Sequence, residues 1–78
     1  MPTVFTKEGF RFFFYSNEHT PIHIHVQKGG GEAVFDIEPT VQLRESVGLK
    51  LAELRRAEEL AIEQHSAIIK HWNDYFSR

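Results

Sequence analysis

The stretch Ile22–Gln27, which reads Ile-His-Ile-His-Val-Gln, alternates strictly between apolar and polar residues. Successive side chains of a β-strand point to opposite faces of the sheet, so this period of two predicts a strand. The apolar members would lie on one face, and His23 and His25 on the other. The placement of these two histidines therefore depends on the fold of this one strand.

Further strands are predicted on both sides of this stretch. The candidates cover residues 2–6, 10–15, 32–38 and, more weakly, 41–47. Glycines 29–31 predict a hairpin turn, because glycine readily adopts the positive φ angles of tight turns. The first half of the chain is thus predicted to form an antiparallel sheet of four or five strands.

The strand register follows from keeping the apolar residues on one face. Pairing Ser16 with Ile22, and Gln27 with Glu32, satisfies this condition. The apolar face then carries Phe12, Phe14, Ile22, Ile24, Val26, Ala33, Phe35 and Ile37. The opposite face carries Arg11, Phe13, Tyr15, His23, His25, Gln27, Glu32, Val34 and Asp36.

The second half of the chain is predicted to be helical. No Gly or Pro occurs from Leu49 to Phe76, and apolar residues recur there every three, four or seven positions. A continuous helix would be about 42 Å long at ~1.5 Å per residue, longer than a compact chain of this size. Either the helix breaks near 64–66, with Ser66 as a cap, or its aromatic end packs on another chain. Without a strong breaker, the unbroken helix is favoured.

Together these elements predict an α+β fold. The chain, 1–78, forms a single domain with a sheet portion at 1–47 and a helical portion at 49–77, and the helix or helix pair packs on one face of a small antiparallel sheet. The apolar residues Phe12, Phe14, Ile24, Val26, Phe35 and Ile37 are expected to form the sheet side of the core against Leu54, Ala61 and Ile68.

Composition excludes several classes of function. The sequence has no cysteine, so disulfides and thiolate chemistry are excluded and a reducing cytoplasm is the expected location. No apolar run is long enough to span a membrane. The net charge of -2 argues against a broad electrostatic grip on nucleic acid but leaves room for a small RNA site.

The histidine cluster allows a metal-binding interpretation. His23 and His25 would leave the same strand face about 6 to 7 Å apart, and His19 in the preceding loop could fold over them. Three imidazoles suit zinc or another divalent metal. Asp36, opposite His23 in the predicted register, could complete or orient the site.

The same surface allows a metal-free interpretation. One histidine could act as general base and the other as general acid, with Arg11 stabilising a phosphate and Tyr15 nearby. Such a set suits RNA cleavage. The simpler interpretation is that both histidines are half-exposed strand residues packed beside Phe13 and Tyr15. If the face is functional, replacing both histidines by glutamine should abolish metal binding or toxicity and change the stability by under about 1 kcal/mol.

The sequence also resembles a known family. The likeness covers the run Gly9–His19, Pro21, His23–Val26 and the glycine turn into Glu32-Ala33, and extends through Glu53–Arg55 to Trp72-Asn73 and Tyr75-Phe76. These elements resemble domain of unknown function 4160, an uncharacterised prokaryotic family. The family's histidine motifs match Glu18, His19, His23, Ile24 and His25, and its aromatic strand matches Arg11–Tyr15.

The resemblance implies a small cytosolic protein encoded beside another short protein, an arrangement typical of type II toxin-antitoxin pairs. One functional hypothesis is therefore a toxin-antitoxin component whose histidine face contacts or cleaves RNA. The alternative is a non-catalytic module that binds a metal or small ligand. In either case the helix end with Trp72, Tyr75 and Phe76 is predicted to recruit a protein partner or a second copy of the chain.

Overall fold

The structure is a computed structural model that describes residues 3–15 and 19–76, and it has an α+β architecture. Five antiparallel strands lie side by side in chain order. They are β1 (Thr3–Lys7), β2 (Phe10–Phe13), β3 (His23–Lys28), β4 (Gly31–Asp36) and β5 (Gln42–Val47). Two helices follow, α1 (Leu51–Glu63) and α2 (His65–Phe76). The predicted fold class is therefore confirmed.

The predicted register is also confirmed. Gln27 pairs with Glu32 across the glycine turn, as the alternation requires. Between β2 and β3, Phe12 pairs with Val26, which is the register that would set Ser16 opposite Ile22. Ser16 itself lies outside the described residues. β2 and β4 end two residues earlier than predicted, so 14–15 and 37–38 lie beyond the strand ends, whereas β3 begins and ends one residue later than predicted.

One face of the sheet, which we call the inner face, packs against the helices. It carries Phe12, Ile24, Val26, Ala33 and Phe35, all fully or almost fully buried. The core is completed by Phe10, Phe14, Ile37, Ala57, Leu60, Ala61, Ile68 and Trp72, with Leu54 partly buried against it. The predicted core is thus confirmed, and burial of these large rings is the main favourable contribution to folding.

A close backbone contact connects the hairpin turn to the segment before α1. A side chain at Gly31 would place its Cβ only 2.5 Å from the carbonyl oxygen of Gly48. The main-chain N–H of Lys50 then donates a hydrogen bond of 2.8 Å to the Glu53 carboxylate, which defines the helix start. The glycine turn and the helix start are therefore fixed relative to each other.

The expectation of one unbroken helix is wrong. The helix breaks at Gln64, whose φ of -101° and ψ of 18° are not helical. Ser66 is not the cap, because it lies within α2. A straight helix over 51–76 would measure about 39 Å, longer than the longest dimension of the molecule, 36 Å. The break is stabilised by burial of Ile68 and Trp72 in the core.

The break also changes the expectation for the aromatic helix end. The ring of Trp72 lies 5.2 Å from that of Phe14 and 4.5 Å from that of Phe76. Because Trp72 is buried within its own chain, no second chain is needed to cover it. A partner interface at Tyr75 and Phe76, which are half-buried, stays a prediction.

Candidate functional site

The opposite side of the sheet, which we call the outer face, brings most of the predicted site residues together. One row across it runs from Phe13 through His25 and Val34 to Glu45. The neighbouring rows contain Arg11, Gln27, Glu32 and Val47 on one side, and His23, Asp36 and Gln42 on the other. Both histidines belong to β3, which is the central strand of the sheet.

Aromatic rings form a continuous cluster on this face. The His25 ring is stacked on Phe13 at 5.5 Å and meets Tyr15 edge-on at 4.5 Å. Tyr15 in turn contacts the edge of Phe13 at 5.5 Å. Phe13 is fully buried by these neighbours, whereas Tyr15 remains 39% exposed. The accessible part of the cluster is thus formed by Tyr15 and His25.

The placement of His23 corrects the prediction that both histidines are surface residues. Only 6% of His23 is exposed, because its ring packs against Trp72 at 5.3 Å and against His25 at 5.4 Å. Its Nδ1 lies 2.7 Å from the carbonyl oxygen of Pro21. A carbonyl can only accept, so Nδ1 carries a proton and donates it. His23 therefore acts as a packed structural residue at the sheet end.

Arg11 and Asp36 are occupied by other interactions. The guanidinium of Arg11 lies 4.5 Å above the Phe13 ring, and its Nε donates a hydrogen bond of 3.1 Å to the Thr3 hydroxyl. Asp36 faces His23 across the strands, as predicted, but its carboxylate forms an ion pair with Arg44. Both side chains stabilise the outer face through these contacts.

The predicted metal ligands are not gathered into one site. Over residues 3–15 and 19–76, no group of three histidine, cysteine or carboxylate side chains could hold a metal ion. His19 is exposed in the loop before β3. The structure thus joins His23 to His25 and leaves His19 and Asp36 apart from a shared centre.

Beside the aromatic cluster lies a groove of about 350 Å³ on the outer face. It is lined by Tyr15, His25, Glu32, Ala33, Val34, Glu45, Ser46 and Val47. The rings of Tyr15 and His25 form one wall, Val47, which is 71% exposed, contributes apolar surface, and Glu32 and Glu45 add negative charge. A groove lined by aromatic and apolar side chains with a few polar groups is typical of a site that binds a small ligand or side chain.

Sequence reasoning missed part of this groove. Val34 was assigned to the outer face, and its apolar character among polar neighbours was a signal of a binding surface. The contribution of Glu45 and Val47 could not be derived, because the β4-β5 register shifts between Val34 and Phe35 and leaves Arg44 as the extra residue. A bulge of this kind has no reliable sequence signature.

Comparisons with known proteins place the chain in a family. A family model described as "Domain of unknown function (DUF4160)" matches residues 9–73. No curated protein and no solved structure matches the chain. Within 3–15 and 19–76, neither helix is long and apolar enough to cross a membrane. The matched region contains β2 to β5, α1, most of α2 and all of the groove, so the chain belongs to the DUF4160 family.

Proposed function

We propose that this protein is a non-catalytic interaction module, one member of a two-protein toxin-antitoxin pair in the cytoplasm, and that the outer-face groove is the surface that binds its partner. The observation that carries this proposal is the groove itself. It joins an accessible aromatic wall of Tyr15 and His25 to two carboxylates, Glu32 and Glu45. Aromatic side chains are enriched at protein recognition sites, where a polar rim surrounds them.

The surroundings of the histidines favour binding over acid-base catalysis. General acid-base catalysis requires both side chains to be within hydrogen-bond reach of the substrate. His23 is buried and its Nδ1 is held by Pro21, so only His25 is positioned beside the groove. The carboxylates at the rim also oppose the approach of RNA phosphates.

Co-purification with the protein encoded by the neighbouring gene tests this proposal. We expect the two proteins to form a complex that survives gel filtration. Replacing Glu45 by lysine should weaken the complex, because it reverses a charge at the groove. The matched control is Glu38→Lys, which reverses an exposed charge outside the groove. A complex equally stable with both variants would contradict the groove as the interface.

A second candidate function is RNA contact or cleavage by the toxic member of such a pair. It is favoured by the edge-on pair of Tyr15 and His25, since aromatic and imidazole rings stack on unpaired bases. Expression without the neighbouring gene should then arrest growth. His25→Gln should abolish the arrest, and arrest that persists in the folded His25→Gln variant would contradict this function.

A further inference from the structure

We infer that the groove recognises an arginine side chain of a protein partner. The guanidinium would lie against the Tyr15 and His25 rings, with the carboxylates of Glu32 and Glu45 as its hydrogen-bond acceptors. This inference rests on the proposed function, because it names the chemistry by which the same groove selects its partner.

The charges around the groove are the first argument. In the described part of the chain, neither Glu32 nor Glu45 forms an ion pair or hydrogen bond, although both line the groove. The nearest cations by register are engaged elsewhere, Arg11 on Phe13 and Thr3, and Arg44 on Asp36. The lining of the groove thus holds two carboxylates and neither lysine nor arginine, so its charge complements a cation.

The aromatic wall distinguishes arginine from lysine. A guanidinium is planar and weakly hydrated, so it stacks on aromatic rings while its N–H groups still reach carboxylates. A lysine ammonium is compact and strongly hydrated, and it gains less from a ring. Tyr15 and His25 supply the rings, and the exposed side chain of Val47, which also lines the groove, suits the aliphatic part of an arginine side chain.

The size of the groove limits the ligand to a single side chain or a similar small group. Its volume of about 350 Å³ is near the lower end of ligand pockets, which begin at about 300 Å³. A nucleobase is the competing ligand of similar size. Its attached phosphates would, however, approach Glu32 and Glu45, and the repulsion between these like charges disfavours it.

The test is a titration of the isotope-labelled protein, followed by NMR, with the peptide acetyl-Gly-Arg-Gly-amide. We expect shifts of the backbone signals of Tyr15, Val34 and Glu45. The peptide with citrulline, which keeps the shape but lacks the charge, should bind roughly tenfold more weakly. The lysine peptide should fall between the two. Cytidine and adenosine monophosphate serve as the nucleotide probes.

Variants connect binding to the two carboxylates. Replacing both Glu32 and Glu45 by glutamine should weaken arginine-peptide binding roughly tenfold, whereas Glu38→Gln should leave it unchanged. Because both positions are exposed, the double variant should keep the dispersed spectrum of the folded protein. If it unfolds, the single variant Glu45→Gln gives the same comparison, with a smaller loss expected.

Three results would overturn the inference. These are no shifts at the groove with the arginine peptide, equal binding of the citrulline peptide, and tighter binding of a nucleotide at the same residues. The proposed function has a separate outcome. If Glu45→Lys disrupts the partner complex while the arginine peptide fails to bind, the groove is still the interface and only the arginine assignment is wrong.

Discussion

The two faces of the sheet both bury aromatic rings, but the helices cover the inner face and reach the outer face at His23, which packs against Trp72. On the inner face, Phe12 and Phe35 pack beneath α1 and α2 within the main core. On the outer face, Phe13 is just as deeply buried, yet it is covered by Arg11 and His25 of the sheet and by Tyr15, which follows β2.

This difference separates the residues that stabilise the fold from the residues that can contact a ligand. Inner-face residues lie under two helices and cannot reach a ligand without unfolding. On the outer face, the side chains that cover Phe13 include Tyr15, which is accessible to a ligand. We therefore expect substitutions on the inner face to act on folding, and substitutions in the groove to act on binding.

The largest effect is expected for Phe35→Ala on the inner face. Phe35 is 1% exposed in the centre of the sheet, so its removal leaves a cavity that the helices cannot fill. We expect a loss of about 4 to 5 kcal/mol in the free energy of unfolding. Urea denaturation measures it. Leu51→Ala, at an exposed site on α1, is the control, and an equal loss there would contradict the assignment of the core.

Trp72→Ala should cost slightly less, about 3 to 4 kcal/mol, because the neighbouring Phe76 is half-buried and its ring can partly fill the space left by Trp72. The ring contacts Phe14, Phe76 and His23 within one chain. The loss should therefore be independent of protein concentration, as followed by denaturation at two concentrations. A concentration-dependent loss would mean that a second chain covers Trp72.

Much of the inner face could be predicted from the sequence, because one register across the glycine turn keeps Ile24, Val26, Ala33 and Phe35 on the same side. The outer face could not be predicted in the same way. The alternation of apolar and polar residues predicts the sheet face of His23, but it does not predict the contact between His23 and Trp72. That contact depends on the break between the helices at Gln64. No Gly or Pro marks this break in the sequence, because burial of side chains in the core overrides helix propensity there.

The two histidines should differ in their effects on stability. His23→Ala removes a buried ring and leaves the Pro21 carbonyl without its donor, so we expect a loss of about 2 to 3 kcal/mol. His25→Ala, at a partly exposed site, should cost about 1 kcal/mol. Thermal melts of both variants measure this difference. Equal small losses of thermal stability would indicate that both histidines are ordinary surface residues.

The smallest effect concerns an ion pair between the β1-β2 turn and α1. Both carboxylate oxygens of Glu8 accept hydrogen bonds from Arg56, at 2.8 and 2.5 Å, across 48 positions of sequence. The hydrogen bonds from Arg56 lower the pKa of the Glu8 carboxyl. The pair is exposed to solvent, so its contribution to stability is small and is screened by salt.

A lowered pKa means that the folded state binds the Glu8 proton less readily than the unfolded chain does. The stabilisation by this pair is therefore complete above the pKa of an unfolded glutamate, about 4.3, and is lost as the pH falls through the lower folded value. Glu8→Gln should melt below wild type at pH 7, and the gap should close in strong acid. Glu38→Gln, which removes an exposed carboxyl outside this pair, is the control. If the difference in melting temperature is the same at pH 7 and pH 2, the glutamine disturbs the turn itself. In that case the charge on Glu8 does not stabilise the contact between the β1-β2 turn and α1.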